Sequence, residues 1–157
     1  MVAAYELESK VAKYPRVLID PSALTVARTA RSEIHSAEEE VRYVKSFMTP
    51  DADGKYYFDY VSWNSVVAVT GSDNDHYPEY LEKVGELVEV GLKHDNPGVV
   101  EKYLWLHDHY EKAIDVIAKL PADHHYRIEN PEHCEAVENL PKYDSLDKTA
   151  RSRMKTP

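Results

Sequence analysis

Apolar positions along the chain switch period several times, and the switches outline its elements. Residues 1–13 place Val2, Leu7 and Val11 near helical spacing with Glu6, Lys10 and Lys13 between them. The next run, "YPRVLID" (14–20), holds three consecutive apolar residues, Val17, Leu18 and Ile19, as in a strand covered on both faces. "SALTVARTARSEIHSAEEE" (22–40) then predicts one helix, capped by Ser22, with Leu24, Ala27, Ala30 and Ile34 on a single stripe. "VRYVKSFM" and "KYYFDYVSW" flank "TPDADG" and read as the arms of a β-hairpin, because both are rich in Val, Tyr and Phe around a loop of Pro, Asp and Gly. In the second arm Tyr56, Phe58 and Tyr60 share one face, and Tyr57, Asp59 and Val61 the other.

From Pro78 the period is helical again. "PEYLEKVGELVEVGLKH" gathers Tyr80, Leu81, Val84, Leu87, Val88 and Leu92 on one side, and "DNPG" breaks it. "VVEKYLWLHDHYEKAIDVIAKL" stacks Val100, Tyr103, Leu104, His107, Tyr110 and Ile114 up to Pro121, which predicts a helical hairpin. Beyond Pro121 the composition is polar and interrupted by prolines, so an irregular, partly disordered tail is expected. The class is α+β, in three segments: 1–75 with the β-hairpin, 76–120 as the helical hairpin, and 121–157 as the tail.

Composition narrows the setting. The 157 residues suit one domain with a real core. A formal charge of −9 argues against duplex nucleic acid or an anionic membrane as the main partner, since both would be repelled. Cys134 is the single cysteine and can form no internal disulfide, in keeping with a reducing compartment. The first ten residues carry Glu6, Glu8 and Lys10, unlike a secretory signal, and no apolar run approaches the roughly 20 residues of a membrane span. A soluble cytoplasmic protein is expected.

Candidate chemistry is sparse. The loop "DADGKYYFDYVS" fails as an EF-hand, because Gly54 is at position 4 and Ser62 at position 12 where a glycine at 6 and a glutamate at 12 are required. Of the eight histidines, His107 and His109 point to different faces of a helix, and His124, His125, His133 and Cys134 lie in the polar tail. That is no zinc pattern, and no metal ligand is assigned. Tyr103, Trp105 and Tyr110 are read as core packing or as a surface for a second copy. A nucleophile elbow, a P-loop and a dinucleotide fingerprint are all missing from the sequence, and no catalytic residue is assigned.

Four segments taken in order carry a resemblance: Tyr5 to Glu8, Tyr14 to Ile19, Asp53 to Tyr60, and Lys102 to Leu106. Together they resemble the C-terminal half of a class III nucleotide cyclase domain, most closely the bacterial branch that makes cyclic CMP or cyclic UMP in anti-phage signalling. The likeness spans about residues 1–118. It implies a partial cyclase-like α/β layer closed by the helical hairpin, a homodimer, and a nucleoside triphosphate substrate, CTP or UTP. It also implies Mg²⁺ or Mn²⁺ held by two aspartates on strands preceding the segment numbered 1–13 here. This chain has no counterpart of those strands, so by itself it is expected to bind no such ion and to be inactive. Purine cyclases carry an Asn and an Arg four residues apart on this helix, where Val2 and Glu6 stand here. Neither donates to a phosphate, and no catalytic role is carried over; Tyr5 and Glu6 are at most a substrate-side wall. The alternative reading is a stand-alone, non-catalytic dimerisation or binding module.

Overall fold

The structure is a computed structural model that describes residues 14–29, 34–63, 65–66 and 76–155. The helix expected over 1–13, with Tyr5 and Glu6, lies outside the described residues. The chain divides into two compact units, residues 1–60 and 61–157. Among the described residues it is mixed and mostly helical, with one small three-stranded antiparallel sheet, which agrees with the α+β class.

In the first unit, β1 (Val17–Ile19), α1 (Ala23–Thr29), α2 (Ala37–Ser46), β2 (Thr49–Pro50) and β3 (Tyr56–Phe58) follow one another. β3 is the middle strand of the order β1-β3-β2, with Leu18 opposite Tyr57 on one side and Thr49 opposite Tyr57 on the other. The expected alternation holds in this arm, since Tyr57 and Asp59 are buried while Tyr56 is exposed. At the turn the Asp51 N–H donates to the Lys55 carbonyl at 2.9 Å, and Gly54 takes φ +77°, a conformation open to glycine at no steric cost.

Three expectations for this unit need correcting. Among the described residues β1 is an edge strand rather than one covered on both faces: Val17 is 55% exposed. The single helix over 22–40 is replaced by α1 and α2. The first hairpin arm is only two residues long, because "VRYVKS" belongs to α2. A capping box decides that last point. The Ser36 hydroxyl accepts from the Glu39 N–H at 3.3 Å, while the Glu39 carboxylate accepts from the Ser36 N–H at 2.8 Å. Glu38, Glu39 and Glu40 then lie in the first turn, where the helix dipole favours negative charge, and Lys45 in the last. Local capping outweighs the β-propensity of Val41, Tyr43 and Val44. Ser36→Ala is expected to cost about 1 kcal/mol, read from the denaturant midpoint.

The second unit is built on α3 (Tyr77–Leu92) and α4 (Pro97–Ala118), the predicted helical hairpin. Leu81, Val84, Val88 and Leu92 pack inward with Val100, Leu104, Ile114 and Ile117. Leu87, expected on that face, is 55% exposed. The tail is neither irregular nor loosely attached. It forms α5 (His125–Glu129), α6 (Pro131–Glu138) and α7 (Asp144–Lys155), which bury Cys134, Val137 and Ala150. Pro131, read as a breaker, sits in the first turn of α6, where a missing N–H costs nothing. Two arginines explain why so polar a segment docks. Neither α3 nor α4 has a basic residue in its last turn. Arg153 donates to the Leu92 carbonyl at 2.5 Å and Arg127 to the Ile117 carbonyl at 2.9 Å, so the tail brings cations to both carbonyl ends.

Candidate functional site

Among the described residues Arg16 is the buried cation of the first unit, 3% exposed, and the hairpin turn closes over it. Its guanidinium reaches one oxygen of Asp51 and both of Asp53, the longer of the Asp53 bonds being 3.1 Å. This holds the Asp53 carboxyl at about 2, below the usual carboxylate range, the hydrogen bond from Arg16 being the main cause. The Tyr60 hydroxyl donates to the Pro15 carbonyl. "YPR" and "DADG…Y", 35 and more residues apart, are thus one polar brace. Both turn carboxylates are committed to Arg16, so they do not fit a pair of metal-binding aspartates.

Elsewhere in the first unit, Arg28, Glu38, Arg42 and Lys45, with Ala37 and Val41, line an open groove of about 590 Å³ between α1 and α2. Three cations and one carboxylate line it, with Arg42 also 3.9 Å from the Glu39 carboxylate, on a chain whose overall charge is negative.

In the second unit Tyr110 is fully buried and Trp105 nearly so, while Tyr103 is half-buried. Tyr103 lies flat on the backbone of α3 at Gly91, and the Tyr110 ring ends at Gly85. Burial pushes the Tyr110 phenol up, and its hydroxyl donates to the Pro141 carbonyl at 2.9 Å, which fastens the tail. Tyr110→Phe is expected to lose about 1 kcal/mol and to leave 141–155 more open to limited proteolysis. Trp105 stacks on His109 at 3.8 Å between ring centroids.

His107 leaves α4 on the other side, as the spacing required, and meets α7. It is 5% exposed, yet neither ring nitrogen has a hydrogen-bond partner. Nδ1 faces Asp147 Oδ1 at 3.5 Å and Asp108 Oδ1 at 3.7 Å, and Nε2 faces Glu111 Oε1 at 3.7 Å. Arg151 donates from Nε to Asp147 Oδ1 at 2.7 Å and also bonds Asp108 Oδ1. Burial pushes the Glu111 carboxyl up; burial also acts to raise that of Asp108, but the nearby charges of Arg151 and His107 and the Arg151 hydrogen bond outweigh it and leave it lowered.

This cluster escaped the sequence reading, although His107 on an otherwise apolar stripe with Glu111 one turn later was a signal for it. The tail histidines do not join it. His124 and His125 stack on each other with ring centroids 4.5 Å apart, and His133 lies by the Tyr126 hydroxyl at 3.4 Å. Cys134 is buried, which pushes its thiol up. Among the described residues no helix is long and apolar enough to cross a membrane.

Compared with protein-family models, curated proteins and solved structures, the chain matches none.

Proposed function

We propose that this chain is the C-terminal part of a nucleotide cyclase of the pyrimidine branch, acting in anti-phage defence. In the complete enzyme the 3′-hydroxyl of CTP or UTP attacks the α-phosphorus, the 3′,5′-cyclic nucleotide forms and pyrophosphate leaves. Mg²⁺ or Mn²⁺ would be held by carboxylates outside these 157 residues, and two copies would form the cleft. The observation that supports the reading is the Arg16 brace, in which two of the segments carrying the resemblance meet in one small sheet. The groove of Arg28, Arg42 and Lys45 adds a wall suited to phosphate.

The test is to isolate the native protein from its host with an antibody against 122–157 and to assay it with each of the four nucleoside triphosphates and Mn²⁺. A species well above 18.0 kDa that releases pyrophosphate and a cyclic pyrimidine nucleotide is expected. An 18.0 kDa species that turns over none of them would end the proposal.

The second unit favours one other reading, a stand-alone binding or dimerisation module. It closes a core of its own while leaving Leu87 and Val90 of α3 exposed. An inactive 18.0 kDa native protein that sediments as a dimer is the outcome that reading requires.

A further inference from the structure

His107 is the buried histidine among the eight, and it faces carboxylates through both nitrogens. A neutral imidazole has one N–H and one lone pair. With the proton on Nε2, the N–H points at Glu111 and the lone pair of Nδ1 points at Asp147 and Asp108. For a neutral ring that arrangement is repulsive unless a cation stands between them, and Arg151, which bonds both aspartate oxygens, does not reach the ring. The separations decide which kind of cation. Distances of 3.5 and 3.7 Å are too long for hydrogen bonds. They are close to the edge of a tetrahedron about a zinc ion, about 3.4 Å for bonds near 2.1 Å. The three ligand atoms all lie within 4.8 Å of one another. An octahedral magnesium site would need edges of about 3.0 Å.

We propose that His107 Nδ1, Asp108 and Asp147 form a site for a divalent transition-metal ion, zinc by preference, that clamps α7 to α4. Glu111 Oε1 stands 3.7 Å from Nε2, and with the ion bound it would close on Nε2–H and orient the imidazole, the carboxylate–histidine–metal arrangement that fixes the tautomer. Arg151 holds the same two aspartate oxygens in the metal-free chain and does not engage the ring nitrogens. Its side chain is 42% exposed, so it can swing into solvent when an ion enters. The site is thus guarded by an internal competitor. The inference does not rest on the cyclase reading, since it lies wholly in the second unit and its test reads zinc and cobalt binding rather than nucleotide turnover.

The test is calorimetric titration of the full chain with zinc chloride, paired with the visible spectrum of the cobalt-substituted protein. One equivalent is expected to bind with the absorption of four-coordinate cobalt. His107→Gln and the near-isosteric Asp147→Asn should each weaken binding by at least about tenfold, and Glu111→Gln by about tenfold. Arg151→Ala should tighten it, a result that loss of a merely structural ion pair would not produce. Replacing His124, His125 and His133 together should change nothing. No saturable binding to a chain folded by circular dichroism would overturn the proposal. So would binding unaffected by Asp147→Asn, or binding lost only with the three tail histidines.

Discussion

Gly91→Ala is expected to destabilise the second unit by about 2 to 3 kcal/mol, and it should do so although alanine favours helices over glycine by about 1 kcal/mol. A methyl at Gly91 would stand 1.9 Å from Cγ of Tyr103 and 2.2 Å from both Cδ atoms. The contact is with the root of the ring, so no rotation of a flexible tip relieves it. Either the ring leaves its rotamer or the two helices part. At Gly85 the added methyl would meet the tip of Tyr110, its hydroxyl 2.9 Å away, and Gly85→Ala should cost less. In thermal melts Gly91→Ala should lower the midpoint by about 10 °C. The double variant with Tyr103→Ala should lose less than the two single losses added. A Gly91→Ala chain as stable as the parent would refute the close approach of the helices.

Arg16→Met should cost the first unit about 1 to 2 kcal/mol, less than the roughly 3 kcal/mol of breaking a fully buried ion pair, because the Asp53 side chain left behind is 40% exposed. Asp51 and Asp53 would keep their charges at the turn without the guanidinium, with backbone N–H groups of Ala52 and Lys55 still donating to them. Lysine should rescue only part of the loss, because it cannot span two carboxylates with a planar fork. The pH dependence gives a second readout. The folded Asp53 carboxyl sits at about 2, below the unfolded value of about 3.9. Its contribution is therefore complete above about pH 4 and is lost as pH falls toward 2. The parent chain should show that acid limb in denaturant midpoints measured between pH 5 and 2. In Arg16→Met the limb should shrink, and an unchanged profile would show that the brace contributes nothing.

What could be read in advance follows from how local each signal is. The α3–α4 hairpin repeats its apolar residues over several turns and ends at "DNPG", so periodicity alone finds it. The turn at Gly54 is equally local. Helix α2 was hidden because Val41, Tyr43 and Val44 are strand formers, and the Ser36–Glu39 capping box that overrides them lay inside a stretch already read as one long helix. The tail was misread for a different reason. Its docking depends on Arg127, Arg153 and Tyr110 reaching carbonyls 9 to 61 positions away, and no window of sequence displays such bonds. The His107 cluster joins α4 to a helix 40 residues later. Only its Glu111 neighbour was in view.

The arginine caps also bear on the order in which the chain is made. α3 and α4 leave the ribosome before Arg127 and Arg153 do, so the nascent hairpin must wait with bare carbonyl ends and an open groove where Cys134 and Val137 belong. During that interval the emerging protein is at its stickiest, and chaperone capture should peak there. Synthesis stalled before residue 153 should yield a hairpin that aggregates, and synthesis carried through should seal it.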